Sequence, residues 1–302
     1  MLSALHREAR MSAGEKRKRL RRRLGEAPVI VAPGVFDMIS ARIADGLGFD
    51  ALYMTGYGVS ASHLGLPDAG FATLTDMAER VRRIADGTTA PLIADADTGY
   101  GGALNVRHTV RTYEAAGAAA VQIEDQEFPK RCGHTTGRRV IPLADMVTKV
   151  KVAADARTDA DLLIVARTDA RTAYGLDEAI DRAAAYAEAG ADVLFVESPE
   201  SEDEMRRICQ SLGKPVLANM VEGGRTPLLG AERLGDIGYR IAIYPATGFL
   251  AAAAALASVY GTLRRTGASA AVEVPLYPFE EFNRMIGFEE VWDFDRTYGG
   301  EG

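Results

Sequence analysis

A chain of 302 residues, 47% hydrophobic and 25% charged, has the make-up of a soluble globular protein with a large core, and one barrel-sized domain over 1–302 accounts for the length. Its net charge of −7 excludes general nucleic-acid binding, which needs clustered cations against phosphate. Two cysteines and no leader-like segment ahead of the first core run exclude a disulfide framework and point to the cytoplasm, while the longest apolar run, "FLAAAAALASVYGTL", falls short of the roughly 20 residues a bilayer demands.

The chain opens with a basic stretch, "EKRKRLRRRLGE", in an N-terminal segment of about 1–27. Glutamates interrupt it and no aromatics are interleaved, so it reads as a solvated helix and not as a binding patch. Eight short apolar runs then follow in order: "PVIVAPGVFD", "ALYMTG", "PLIADAD", "AAVQIEDQ", "LLIVARTDA", "VLFVES", "PVLANM" and "YRIAIYP". Between them lie segments such as "LTDMAERVRRIADG" and "LDEAIDRAAAYAEAGAD", whose apolar residues recur at helical spacing. Near-continuous apolar strands alternating with helices imply a parallel sheet covered by helices. Eight such units predict a closed (β/α)8 TIM barrel of the α/β class, with Cys209 packed on one of its helices. After the eighth unit, a C-terminal helical arm over about 268–302 carries aromatics at near-helical spacing. They serve either packing on the arm's own barrel or docking on another subunit.

A barrel of this kind keeps its site at the carboxyl ends of its strands. This sequence puts polar residues there: Thr55, Asp95 and Asp97, Glu124 and Asp125, Arg167 and Asp169, Glu197, and Asn219. No dinucleotide fingerprint or Walker loop occurs. Asp95 and Asp97 are two apart at one strand end and so point the same way. With Glu124 from the next strand they form an all-oxygen set that suits Mg²⁺, whereas four histidines and two cysteines without ligand spacing disfavour zinc. Taken singly, each acid is as readily a helix cap or a surface pair. Arg167 and Asn219 can hold a second anion, and the glycines of "TGYGVSAS" let backbone amides approach it or simply serve a tight turn. The ligand implied is a small di-acid chelated by magnesium. In "EDQEFPKRCGHTTG", Cys132 lies among Lys130, Arg131 and His134, whose charge favours a thiolate, on a segment placed to move over the pocket mouth. A proton donor there fits carbanion chemistry better than acyl transfer does.

Taken together, "DADTGYGG", "EDQEFPKRCGH", "ARTDAR", "VES", "LANMVEGGRTPLL" and "AIYPATG" resemble the isocitrate lyase and phosphoenolpyruvate mutase superfamily, from about "PGVFD" to the C-terminus. "KRCGH" looks like its lyase branch. Within that branch, "TGYGVSASHLGLPDAGFATLT" and "FEEFNRMIGFEEVW" look most like the alkylmalate and dimethylmalate lyases. "PKRCGH", "NMVEGGRTP" and "AIYP" are also similar to carboxyphosphonoenolpyruvate mutase.

The resemblance implies a barrel whose eighth helix is exchanged between paired subunits of a homotetramer. It implies Mg²⁺, with Mn²⁺ as a substitute, held chiefly at Asp97 with Asp95 and Glu124 acting through water, and no organic cofactor. Thr55, Gly56 and Tyr57 match a carboxylate-binding loop, and Arg167, Glu197 and Asn219 match substrate-contacting positions. Cys132 matches the acid/base of a gating loop. Lys130 and His134 join it as catalytic candidates, and Gly133 and His134 as substrate contacts. Tyr53 and Asp68 match a tyrosine and its supporting aspartate that handle the hydroxyl proton.

The implied reaction is cleavage of a 2-hydroxy di- or tricarboxylate to a 2-oxo acid and an enolate, which Cys132 protonates. Tyr57 stands where methylisocitrate lyases tend to have glycine, and Ile243 where oxaloacetate hydrolases have serine. An apolar wall of Tyr57 and Ile243 suits an alkyl-substituted malate. The other readings are a phosphonomutase, an oxaloacetate hydrolase or decarboxylase, and a silent barrel acting in assembly. No nucleic-acid or membrane partner is implied.

Overall fold

The computed structural model describes residues 11–131 and 137–299. All eight apolar runs form strands: β1 (Ile30–Val35), β2 (Leu52–Met54), β3 (Leu92–Asp95), β4 (Ala120–Glu124), β5 (Leu163–Thr168), β6 (Val193–Val196), β7 (Leu217–Asn219) and β8 (Ile241–Tyr244). Every pairing is parallel, in the order β6-β5-β4-β3-β2-β1-β8-β7. A parallel bridge between Leu194 and Val216 brings β6 to the start of β7 and closes the ring into a (β/α)8 barrel.

The helices run in chain order as α1 (Ala13–Leu24), α2 (Met38–Gly46), α3 (Gly56–Val59), α4 (Leu74–Gly87), α5 (Ala103–Ala115), α6 (Leu143–Ala156), α7 (Ala170–Tyr174), α8 (Leu176–Glu188), α9 (Glu202–Ser211), α10 (Ala231–Ile237), α11 (Thr247–Thr266), α12 (Phe279–Ile286) and α13 (Phe288–Tyr298). Strand alternation divides the core in two. Outward residues such as Leu52, Met54, Val121 and Ile164 pack with Val81, Ile84, Val110, Val150 and Ile208 of the helices. Inward residues, among them Ile30, Tyr53, Ile93, Val165, Phe195, Leu217 and Ile241, fill the barrel.

The basic N-terminal segment is not a solvated helix. Ser12 and Glu15 form a capping box that starts α1, and its Leu20 and Leu24 join the interior cluster, so the helix plugs the amino-terminal end of the barrel. Lys16 and Arg17 are buried: Lys16 Nζ donates to the carbonyls of Ala85 and Thr88, both at 2.6 Å, and Arg17 Nε donates to Ala118 O at 3.0 Å. Its other guanidinium nitrogens reach Glu114 O and Asp159, the latter at 3.1 Å. The four carbonyls lie at or just past the ends of α4 and α5, so the cations meet the negative ends of two helix dipoles. A run of charge that reads as exposed is here the barrel's polar seal.

At the other end of the chain, α11 meets β1 near its start through Phe249 and Ala252 and is exposed for most of the rest of its length. On α12 and α13, Phe279 and Trp292 are 77% and 41% exposed. No helix among the described residues is long and apolar enough to cross a membrane.

Candidate active site

The site follows from strand parity. Tyr53, Ile93, Ala120, Val165, Phe195 and Leu217 face the barrel interior. Continuing in steps of two, the same faces present Thr55, Asp95, Glu124, Arg167, Glu197 and Asn219 at the carboxyl ends of β2 to β7. All six are buried, so the interior changes from apolar to charged at the mouth.

One corner of this layer is acidic. Asp97 sits just past β3 with φ at 49°, a left-handed conformation that aspartate tolerates better than most residues. Its backbone N–H donates to Asp95 Oδ1 at 3.0 Å, and the Gly56 N–H donates to Asp95 Oδ2 at 3.3 Å. Glycine is required at 56, because a Cβ there would stand 2.7 Å from that carboxylate oxygen. Lys130 lies 2.7 Å from Asp97 Oδ1 and also pairs with Asp68. Burial, opposed by Lys130, pushes the Asp97 carboxyl up to about 7. Burial also raises Glu124 well above the usual carboxylate range, against the pull of Arg167.

The opposite corner is built on Arg167. Its Nε and Nη2 each donate to Asp169 at 2.9 Å, Glu124 lies at 3.3 Å and Glu197 at 3.2 Å, and the guanidinium stands 5.0 Å from the Phe195 ring centroid. Asn219 Nδ2 donates to Glu197 at 3.0 Å, and the Ser198 N–H donates to the same carboxylate at 2.7 Å. Below them, Tyr53 OH accepts from Gln122 Nε2 at 3.0 Å, and burial first, then Asp95, raises the phenol well above its ordinary value.

The expected residues thus gather at one mouth, with three qualifications. Cys132, Gly133 and His134 lie outside the described residues. Asp68 faces the ammonium of Lys130, whereas the phenol of Tyr53 is held by Gln122. Ile243 belongs to the interior cluster beside Asn219, whereas Tyr57 packs against Phe249 with tilted rings, centroids 5.1 Å apart. Sequence reasoning assigned no role to Gln122 or Arg138, and treated Asp125 and Asp169 only as polar strand ends. Asp125 accepts from Thr168, Tyr186 and the Asp169 N–H at 2.7 to 2.9 Å and so braces the anchor of Arg167. Strand parity extended inward from Glu124 would have found Gln122.

Fitness for a divalent cation can be judged from the donor set. Six carboxyl groups (Asp68, Asp95, Asp97, Glu124, Asp169 and Glu197) share the mouth with three cations, Lys130, Arg138 and Arg167, so carboxyls outnumber the cations that could pair with them. Glu124 Oε1 is buried without a hydrogen-bond partner among the described residues. Among those residues no three histidine, cysteine or acidic side chains converge as a ready-made cage. That arrangement fits magnesium, which takes one or two carboxylates and keeps several waters.

Residues 20–264 match the family described as phosphoenolpyruvate phosphomutase. The 2,3-dimethylmalate lyase of Eubacterium barkeri is 48% identical over 280 residues, covering 93% of this chain and 97% of the relative. A 2-methylisocitrate lyase of Aeropyrum pernix is 42% identical, with coverage of 90% and 87%. Among solved structures, oxaloacetate acetylhydrolase with 3,3-difluorooxalacetate superposes with a TM-score of 0.90 at 36% identity, covering 97% of this chain and all of that one.

Proposed function

Because the chain belongs to the phosphoenolpyruvate phosphomutase family, within the isocitrate lyase superfamily, we propose that it is a magnesium-dependent carbon–carbon lyase. It cleaves a 2-alkylmalate-type 2-hydroxy dicarboxylate to a 2-oxo acid and a carboxylate. The observation that carries this reading is the division of one buried polar layer into an acidic corner at Asp95 and Asp97 and a guanidinium corner at Arg167, as a chelated di-acid requires.

Asp97, with Asp95 and Glu124 reaching through water, would hold the ion, which when bound supplies an electrophile for the 2-hydroxyl and its carboxylate. Arg167, fixed by Asp169, presents its guanidinium to a substrate carboxylate, with Glu197 and Asn219 beside it. The turn at Thr55, Gly56 and Tyr57 offers backbone N–H groups to the other carboxylate. Tyr53 handles the hydroxyl proton as a relay: burial keeps the phenol protonated, so it releases its own proton towards the acidic corner at Asp95 as it takes the substrate's, while the Gln122 amide holds its oxygen in place. As C2 becomes a carbonyl, the C2–C3 electron pair passes to C3 and its carboxylate as an enolate, and Cys132 returns a proton to C3. Lys130, beside Asp97, offsets charge as the enolate forms.

A side chain without a hydroxyl at 243, together with the aromatic Tyr57, favours an alkyl-substituted malate over a hydrated ketone or a tricarboxylate. The greater identity to the dimethylmalate enzyme points the same way. The test is a panel of 2-methylmalate, 2,3-dimethylmalate, methylisocitrate and oxaloacetate with Mg²⁺, reading pyruvate or oxalate release. Turnover of methylisocitrate or oxaloacetate alone sinks the substrate assignment. A new carbon–phosphorus resonance from a carboxyphosphonate substrate would replace the lyase by a mutase.

We extend the proposal to a homotetramer in which α11 is exchanged between paired copies. The exposure of α11 beyond its start and of the aromatics on α12 and α13 supports this. Light scattering that returns the 32.3 kDa chain mass would end it.

A further inference from the structure

We propose that Arg138 is a positioning residue for Arg167, acting through Asp169. The inference rests on the reading that Arg167 holds a substrate carboxylate. Arg138 is 6% exposed; its guanidinium pairs with Asp169 Oδ1 and donates to Thr172 Oγ1 at 2.6 Å. Asp169 Oδ1 also accepts from Arg167 Nη2, and Asp169 Oδ2 from Arg167 Nε, so one carboxylate is clasped by two guanidinium groups. Although burial opposes it, Arg167 and then Arg138 hold that carboxyl below its usual range.

Two consequences follow from electrostatics. First, Arg138 and Thr172 fix the guanidinium that fixes the carboxylate plane, so both lone pairs of Asp169 stay aimed at Arg167. Second, Arg138 spreads the charge of Asp169 over two cations. Arg167 already faces Glu124 and Glu197, and a third carboxylate left wholly to it would leave little positive potential for a substrate. Arg138 therefore acts on binding and orientation more than on proton transfer. It also lines a cavity of about 340 Å³ with Arg131 and Gly137.

The experiment compares wild type, R138A and R138K in kcat and KM on the substrate identified by the panel, in oxalate binding with Mg²⁺ by calorimetry, and in crystal structures. For R138A, KM and the oxalate dissociation constant should rise about tenfold or more, with kcat changed by no more than about threefold. Millimolar guanidinium should restore binding in R138A and do nothing in wild type. R138K, which keeps the charge but not the fork, should fall between. If R138A fails to fold, R138K with the same readouts decides the matter. Wild-type parameters in R138A, or loss that guanidinium cannot repair, overturn the relay. Failure of the wild type itself to bind oxalate overturns the parent reading instead. The crystal structure then decides the relay alone: Arg167 still clasping Asp169 in R138A refutes it, and a displaced Arg167 supports it.

Discussion

Replacing Arg17 by methionine tests whether α1 is a structural plug. The substitution keeps an unbranched apolar stem and removes a guanidinium that reaches Ala118 O at 3.0 Å, Glu114 O, and Asp159 at 3.1 Å. Leaving the Ala118 carbonyl without its Arg17 donor costs about 1–3 kcal/mol, whereas Glu114 O keeps the Gly117 N–H at 3.1 Å. The pair with Asp159, whose side chain is 28% exposed, adds at most about 1 kcal/mol. For a chain of this size each kcal/mol moves the melting midpoint by about 2 °C, so R17M should melt about 2–8 °C lower. The control is R22M: Arg22 is 75% exposed and its contact to Glu26 is 3.6 Å, which predicts a shift within about 1 °C. The assay is thermal unfolding by circular dichroism at one protein concentration. Equal, small shifts in both variants would mean that α1 is solvated and that its buried contacts contribute nothing.

Lys130 lies against the same Asp97 oxygen that a divalent cation would use, so Lys130→Met should tighten Mn²⁺ binding by roughly tenfold, read by electron paramagnetic resonance, while lowering turnover. Unchanged or weaker metal binding would separate the ammonium from the metal corner. Burial pushes the Cys209 thiol up to about 12, which leaves a thiolate fraction of about 10⁻⁴ at pH 8. Iodoacetamide at pH 8 should therefore label Cys132 alone in peptide maps, with Cys209 reacting only as the pH approaches that value. Equal labelling of both would contradict the burial argument.

All eight strands were legible because a buried parallel strand leaves little room for anything but apolar residues, and its polar end marks the mouth. Asp95, Glu124, Arg167, Glu197 and Asn219 were legible for the same reason. The role of α1 was hidden, because charge in sequence reads as exposure, and the carbonyls that bury Lys16 and Arg17 lie at or just past helix ends 69 to 101 residues away. Gln122 was hidden inside an apolar run, where one amide looks like an exception until the phenol of Tyr53 is placed 3.0 Å from it. Arg138 was hidden because nothing local distinguishes it from Arg139, whose guanidinium is exposed on Glu127. Only the pair with Asp169, just past the end of β5, tells the two apart.

The central claim is that a divalent cation at the acidic corner is required for cleavage. It is tested most directly by following 2-oxo acid release from 2,3-dimethylmalate after EDTA treatment, with Mg²⁺ then restored, in wild type and D97N. The account predicts no release from the stripped enzyme, full recovery in wild type and no recovery in D97N. Undiminished release in EDTA, or full recovery in D97N, would contradict it.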